Sequence, residues 1–275
     1  WLPFWKDTRR PNGRKRWFTF SNDSSSLFPV KVAPGHFLFR WYRRKMYKRI
    51  RKSELLPDPG YRYSGLPFFI FPEMISQLTD KTYRQYLQQN VFAPLGAKRL
   101  LYNPWQKYPL YQIPPTERDT LFRNQLVHGY VHDEGAAMFG GVSGNAGLFA
   151  NAGDLAKLMQ MYLQMGQYGG RSYISGETMQ EFTSYQFKEN RRGLGFDKPP
   201  RDTAETGYIA PQASRQSFGH SGFTGTFVWM DPANKLLVIL LSNRVYPYRS
   251  HTALYTKNIR PELHRLFYEG LAGGV

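Results

Sequence analysis

The sequence predicts an α+β fold, with helices concentrated in the middle of the chain and strands in its last third. Three observations carry this. Apolar residues recur at helical spacing through the middle of the chain, strand-like runs concentrate in the last third, and Phe218 to Asn243 reads as two strands joined by a tight turn. In that stretch Asp231-Pro232-Ala233-Asn234 is turn chemistry, because proline fixes φ and the Asp and Asn side chains bond their own backbone. Leu236 to Leu241 is an unbroken apolar run, as expected of a strand buried on both faces. The strand before it carries His220, Ser221, Gly222, Thr224, Gly225 and Thr226. Glycines gain a central strand little. They imply either close approach of a ligand or chain segment, or a Gly-rich edge or bulge.

Taken in order, residues 1–35 read as loop, with Pro3, Pro11, Gly13, Pro29, Pro34 and a serine patch from Ser21 to Ser26. Trp1, Phe4, Trp5, Trp17 and Phe18 are too apolar for a solvated tail and are expected to pack on the body or line a cleft. An amphipathic helix follows over about 37–52: Arg40, Arg44, Lys48 and Lys52 repeat every four residues opposite Tyr42, Met46 and Ile50. Pro57-Asp58-Pro59-Gly60 turns the chain into Tyr61 to Ser64. Residues 66–78 read as a helix that Pro72 must kink or start, and 82–91 as a second, ended by Pro94-Leu95-Gly96. Residues 101–127 look irregular. Asn151 caps a helix whose buried face is Leu155, Leu158, Met159, Tyr162 and Leu163, stopped by Gly166. Ser175 caps another to about Ser184. Leu194 to Phe196 starts a strand, and a last helix runs from about Pro261 to Leu271.

The chain has 275 residues, enough for one large or two-lobed domain. No run approaches the ~20 apolar residues of a membrane span, and with no cysteine, disulfides and thiolate zinc sites are excluded. The formal charge of +17 is uneven: residues 1–52 hold fifteen Lys/Arg against two Asp. Such a block suits weak contact with an anionic polymer or membrane surface, or is simply a solvated face. No nucleic-acid motif accompanies it, so specific nucleic-acid binding is not expected. His128, His132 and Asp133 invite a metal reading, but Gly129 weakens the helix that would align both rings and no Glu follows the first His. Loop histidines bonded to backbone are expected instead, with no metal and no cofactor.

His220-Ser221-Gly222 resembles the Lys/His-Thr/Ser-Gly motif of the penicillin-recognising serine hydrolases, which include class C β-lactamases, D-alanyl-D-alanine carboxypeptidases and related esterases. Tyr61-Arg62-Tyr63-Ser64-Gly65, the run Gly140 to Phe149 leading into Asp154 to Lys157, and Gly193-Leu194-Gly195-Phe196 resemble further elements of that family in order and spacing. The likeness covers essentially the whole chain. It is closer still to the serine-hydrolase domain carried behind some family 3 glycoside hydrolases. The resemblance implies a β-lactamase/transpeptidase-like α/β (α+β) fold, an antiparallel sheet flanked by helices, lacking its N-terminal part. A mainly helical lobe would fall at about 37–185, and the C-terminal strands and helix at about 190–275. It also implies a periplasmic or cell-envelope setting, a small acyl substrate or cell-wall peptide, and a glycoside hydrolase domain in the same chain.

The family reaction is acyl transfer by a serine in Ser-x-x-Lys, and neither Ser-x-x-Lys nor Thr-x-x-Lys occurs here. The expectation is a nucleophile upstream of Trp1 and a chain inactive alone; the alternative is a non-catalytic cell-wall binding domain. By resemblance, Tyr63 shuttles the proton, and Gly65 replaces the usual Asn or Asp. His220 contacts a substrate carboxylate or Tyr63, and the Phe223 N–H is the second oxyanion donor. Ser221, Gly222 and Thr224 line the acyl site.

Overall fold

Residues 2–55, 57, 61–188, 190–202 and 207–273 are described by the computed structural model, and the chain divides into two units. The first takes Trp1–Asn90, Leu101–Phe149 and Tyr246–Tyr248; the second takes Val91–Leu100, Ala150–Val245 and Arg249–Val275.

In the first unit the expected loop over residues 1–35 is partly ordered structure. Phe4–Thr8 is a 3-10 turn, and β1 (Phe20–Ser21), β2 (Val30–Ala33) and β3 (His36–Leu38) form an antiparallel sheet in the order β1-β3-β2. These strands are too short to show a period of two, and the Pro34-Gly35 turn between β2 and β3 reads as loop. Because His36–Leu38 is committed to the sheet, α1 (Tyr42–Arg51) starts later than residue 37. Tyr42 and Met46 are its buried face, as the spacing predicts. Phe4 also packs inward, edge-on to Phe69, which stacks on Phe139. Trp17 stays largely in solvent, against the expectation, whereas Phe18 is partly exposed and rests on Phe28 and Phe39; a left-handed backbone at Phe18 (φ 58°) turns the chain just before β1.

The helix expected at 66–78 is a 3-10 turn, Pro67–Phe69, followed by α2 (Phe71–Thr79). Pro72 sits in the first turn of α2, where its missing N–H costs nothing. A capping box of Thr82 and Gln85 opens α3 (Tyr83–Leu87), which continues as a π turn, Gln88–Phe92. The stretch 101–127 is less irregular than its sequence. It holds β4 (Leu101–Tyr102), β5 (Pro115–Asp119) and most of β6 (Gln125–His128), β5 and β6 pairing as a hairpin. β5 hides from the hydrophobic pattern because it turns Glu117 and Asp119 inward. Asp119 pairs with buried Arg123 (2.7 Å), whose guanidinium also donates to the carbonyls of Val131 and His132. α4 (Glu134–Met138) follows, and β7 (Leu148–Phe149) pairs with β4.

The second unit begins with α5 (Ala152–Leu163), capped by Asn151, then β8 (Gln167–Tyr168), β9 (Arg171–Ser172) and α6 (Gly176–Thr183), capped by Ser175. Its sheet is β10 (Phe218–Ser221), β11 (Phe227–Asp231) and β12 (Leu236–Leu240), antiparallel in the order β10-β11-β12. After it come α7 (Ala253–Thr256) and α8 (Ile259–Ala272). The turn between β11 and β12 is pinned by the buried Asp231 carboxylate. It accepts from the Ser214 N–H (2.9 Å), the Asn234 amide (2.9 Å) and the Tyr268 hydroxyl of α8 (2.6 Å). α5 and α8 both pack against β12, yet only Val238 of its five residues is fully buried, so burial on both faces is incomplete. The strand expected at Leu194–Phe196 is absent. Gly195 (φ 83°) bends the chain, and among the described residues the pairing here consists of isolated bridges, Arg192 to Asp197 and Asp197 to Gly219. The Asp197–Gly219 bridge lies on the outer edge of β10, whereas among the described residues β12 pairs with β11 alone. Phe227 stacks on Trp229, and His264 of α8 meets the Phe227 ring edge-on. Among the described residues no helix is long and apolar enough to cross a membrane.

Candidate active site

β10 ends in His220 and Ser221, and the chain then folds sharply back into β11. The Gly222 N–H donates to the Thr226 carbonyl (2.8 Å) and the Gly225 N–H to the Gly222 carbonyl (3.0 Å). The glycines answer to the chain's own crowding. A Cβ on Gly222 would collide with Thr226 Oγ1, one on Gly219 with the Val228 carbonyl, and Gly225 has φ 105°. This loop is clamped by Arg244, just beyond β12. Arg244 Nε donates to the Phe223 carbonyl (2.8 Å), and its Nη1 donates to the carbonyls of Arg249 (3.0 Å) and His251 (2.8 Å). The guanidinium lies 4.4 Å from the centre of the exposed Phe223 ring, and the Arg244 N–H bonds the Thr224 carbonyl (2.9 Å). The backbone from Gly222 to Thr226 is thereby held both by its own turn bonds and by Arg244.

His220 is half-buried. Its Nδ1 is 2.9 Å from the Ser221 carbonyl and its Nε2 is 3.4 Å from Arg192 Nη1. A carbonyl can only accept and a guanidinium can only donate, so Nδ1 carries the hydrogen and the ring is neutral. Burial lowers the imidazole below its usual pKa. The Ser221 carbonyl and Asp197 oppose that shift, and Arg192 and Arg191 add to it. Asp197 is buried between Arg191 Nε (3.1 Å) and Arg192 Nη1 (3.2 Å) and accepts from the Tyr208 hydroxyl.

Tyr63 belongs to the first unit and His220, Ser221, Gly222, Phe223 and Thr224 to the second. Tyr63 is largely exposed. The following turn is tied by the Leu66 N–H to Ser64 Oγ (3.2 Å), and Gly65 is buried. The glycine-rich run from Gly140 folds tightly onto the segment after Tyr63: a Cβ on Gly144 would strike the Phe68 carbonyl, and one on Gly141 would strike the Asn103 side chain. Asn103 donates to the Gly140 carbonyl (2.9 Å) and the Tyr102 hydroxyl to the Ser143 carbonyl (3.1 Å). His128 bonds the Ile113 carbonyl, as expected. His132 meets the buried Glu117 carboxylate (2.9 Å), which pairs it inside the unit. Asp133 caps α4 through the Ala136 N–H (2.7 Å). Arg244, Arg192 and Asp197 were not singled out from the sequence. Their only signal is position, directly after the apolar run and on either side of Gly193-Leu194-Gly195-Phe196.

Residues 18–259 match the model of the Beta-lactamase family. This chain belongs to that family. The β-lactamase-like fold is shared with a penicillin-binding protein homologue from Caulobacter crescentus (TM-score 0.59, 17% identity, 91% of this chain and 67% of that one). It is shared also with a β-lactamase from Mycobacterium bovis (TM-score 0.55, 20% identity, 79% and 68%). Among curated proteins, one from Escherichia coli (strain K12) named "Putative D-alanyl-D-alanine carboxypeptidase" is 32% identical over 231 residues, 79% of this chain and 53% of its own length. A protein of the same name from Salmonella enteritidis PT4 is 31% identical over 258 residues, 89% of this chain and 57% of its own. The chain thus spans about half the length of the curated relatives it matches.

Proposed function

We propose that this β-lactamase family chain is the C-terminal part of a serine acyl-hydrolase that acts on D-alanyl peptides, β-lactams or small esters in cell-wall metabolism. The observation that carries the reading is the His220-Ser221-Gly222 strand end with its following loop clamped by Arg244. The named relatives support the substrate class. The nucleophile, a serine in Ser-x-x-Lys, is supplied by sequence outside these 275 residues, so this chain alone is inactive. By resemblance to the family, the Phe223 N–H serves as one oxyanion donor, and Tyr63 serves as the group that shuttles the proton of the nucleophile and the leaving group. The neutral His220 ring orients the strand end, with its Nε2 turned to Arg192. A cell-envelope setting and a neighbouring glycoside hydrolase domain are part of the same proposal.

The test is the parent protein with its upstream segment. Tyr63→Phe there lowers kcat by about two to four orders of magnitude with the fold intact, since it removes only a hydroxyl that acts in the transition state. Activity within about two-fold of the parent would remove Tyr63 from the site. An upstream segment without a Ser-x-x-Lys would favour the alternative, a non-catalytic cell-wall binding domain.

A further inference from the structure

The basic N-terminal part of the first unit carries an exposed surface that is both aromatic and cationic. On α1, Tyr42 and Met46 face the core, Arg49 reaches back to Asp7 and Lys45 lies over the Tyr42 ring, while Arg44, Lys48, Arg51 and the C-cap Lys52 lie toward the opposite, exposed side. Among the described residues none of these four is in an ion pair. Trp41, at the N-terminal end of the same face, is 55% exposed. It does not stand alone. Its ring is 5.5 Å from Phe39, Phe39 is 6.3 Å from Phe18, and Phe18 is 6.2 Å from Trp17. Trp17 is 87% exposed and Phe18 61%, on the turn where Phe18 holds a left-handed backbone. Exposed Arg14 and Arg16 precede them in the chain, and Arg40 precedes Trp41.

We propose that the ring cluster Trp17, Phe18 and Trp41, together with the cationic face of α1, docks this unit onto the surface of an anionic phospholipid bilayer. Two parts of the surface select that occupant. The cations match anionic headgroups. Three large rings held out in water, at one end of a cationic helix face, match the headgroup–acyl boundary, where an aromatic ring finds apolar and polar surroundings together. A soluble acidic polymer would satisfy the cations and leave the rings in water. Phe18 and Phe39, the rings that Trp17 and Trp41 lean on, are braced: Phe28 packs against both (6.0 and 5.6 Å), and the Arg40 N–H bonds the Leu27 carbonyl (2.9 Å), so the base of the cluster is formed before a bilayer meets it.

The experiment is flotation of the 275-residue chain with phosphatidylglycerol–phosphatidylcholine vesicles, beside pure phosphatidylcholine vesicles and soluble polyglutamate. The expected result is binding to the anionic vesicles that weakens with salt, with tryptophan fluorescence quenched by brominated lipid. Arg44→Gln with Lys48→Gln weakens it about five-fold per charge, so about twenty-five-fold together. Trp17→Ser with Trp41→Ser weakens vesicle binding at least about ten-fold, removes most of the brominated-lipid quenching, and leaves polyglutamate binding unchanged. These side chains are exposed, so the variants keep the fold, which circular dichroism verifies. Three results would each overturn the proposal: no binding to anionic vesicles at low salt, vesicle binding insensitive to loss of the two tryptophans, or a ring-dependent dimer of this chain that excludes vesicles.

Discussion

His264 makes the second unit acid-sensitive in a calculable way. The ring has no solvent exposure, lies against Phe227 and Tyr268, and accepts the Ala210 N–H at Nδ1 (3.1 Å). Burial pushes its pKa from 6.5 down to about 4, with the Asp231 carboxylate acting weakly the other way. A histidine whose folded pKa is depressed stays neutral in the native state while the unfolded chain takes up a proton. Stability is therefore full above the unfolded value, falls as pH drops through about 6.5, and stops falling near 4. At about 1.4 kcal/mol per pKa unit the full loss is about 3 kcal/mol, of which about 2 kcal/mol is lost between pH 7 and pH 5. Urea unfolding followed by tryptophan fluorescence at the two pH values measures it. His220 shifts the same way, so the contributions are separated with His264→Gln, whose amide oxygen can accept the same N–H, and with His220→Gln. The pH slope shrinks by about 2 kcal/mol in the first variant. Parallel slopes in His264→Gln and the parent, or a proton NMR titration of His264 near 6.5, would refute the reasoning.

Lys198 works at the other end of the pH scale. Its buried amine bonds the Ser217 carbonyl (3.0 Å) and burial lowers its pKa to about 8, so stability rises as pH climbs from about 8 toward the unfolded value. Lys198→Met abolishes that rise in denaturant midpoints taken across the window. Arg244→Ala removes donors to three carbonyls and lowers stability by about 2 kcal/mol, allowing for their partial exposure, and Arg244→Lys does not restore it because a single ammonium cannot reproduce the fork. Gly219→Ala drives a methyl into the Val228 carbonyl of the paired strand and costs about 3 kcal/mol, read from thermal unfolding. The chain by itself forms no covalent adduct with a fluorophosphonate or a β-lactam; intact mass spectrometry showing stoichiometric labelling of any serine would contradict this.

Legibility followed how local the determining physics was. The hairpin of β11 and β12, the Asn151 and Ser175 caps, the buried Tyr42–Met46 stripe and α8 were visible because turn chemistry, capping and periodicity act within a few residues. β5 was not, because Glu117 and Asp119 point inward and find His132 and Arg123, partners that periodicity does not register. Burial on both faces of β12 was over-read from composition, and a strand at Leu194–Phe196 was over-read across Gly195, which takes a left-handed φ. In the candidate site the His220-Ser221-Gly222 strand end was legible as a motif. Arg244 and Asp197 were not, since each acts only through distances that the fold creates, to the Phe223 carbonyl and to Arg192.

The two edges of the β10-β11-β12 sheet behave differently in a concentrated solution. The β10 edge is blunted where Asp197 exchanges both of its backbone bonds with Gly219. Among the described residues the β12 edge has no second strand, and Leu236-Leu237-Val238-Ile239-Leu240 carries no charge, proline or bulge to discourage one. Mutual repulsion among copies carrying a formal charge of +17 holds such edges apart only while the ionic atmosphere is thin. Added salt shortens the reach of that repulsion to about 10 Å or less and leaves apolar edge pairing untouched. The isolated chain is therefore expected to stay dispersed in dilute buffer and to associate as salt is raised, which light scattering across a salt series measures.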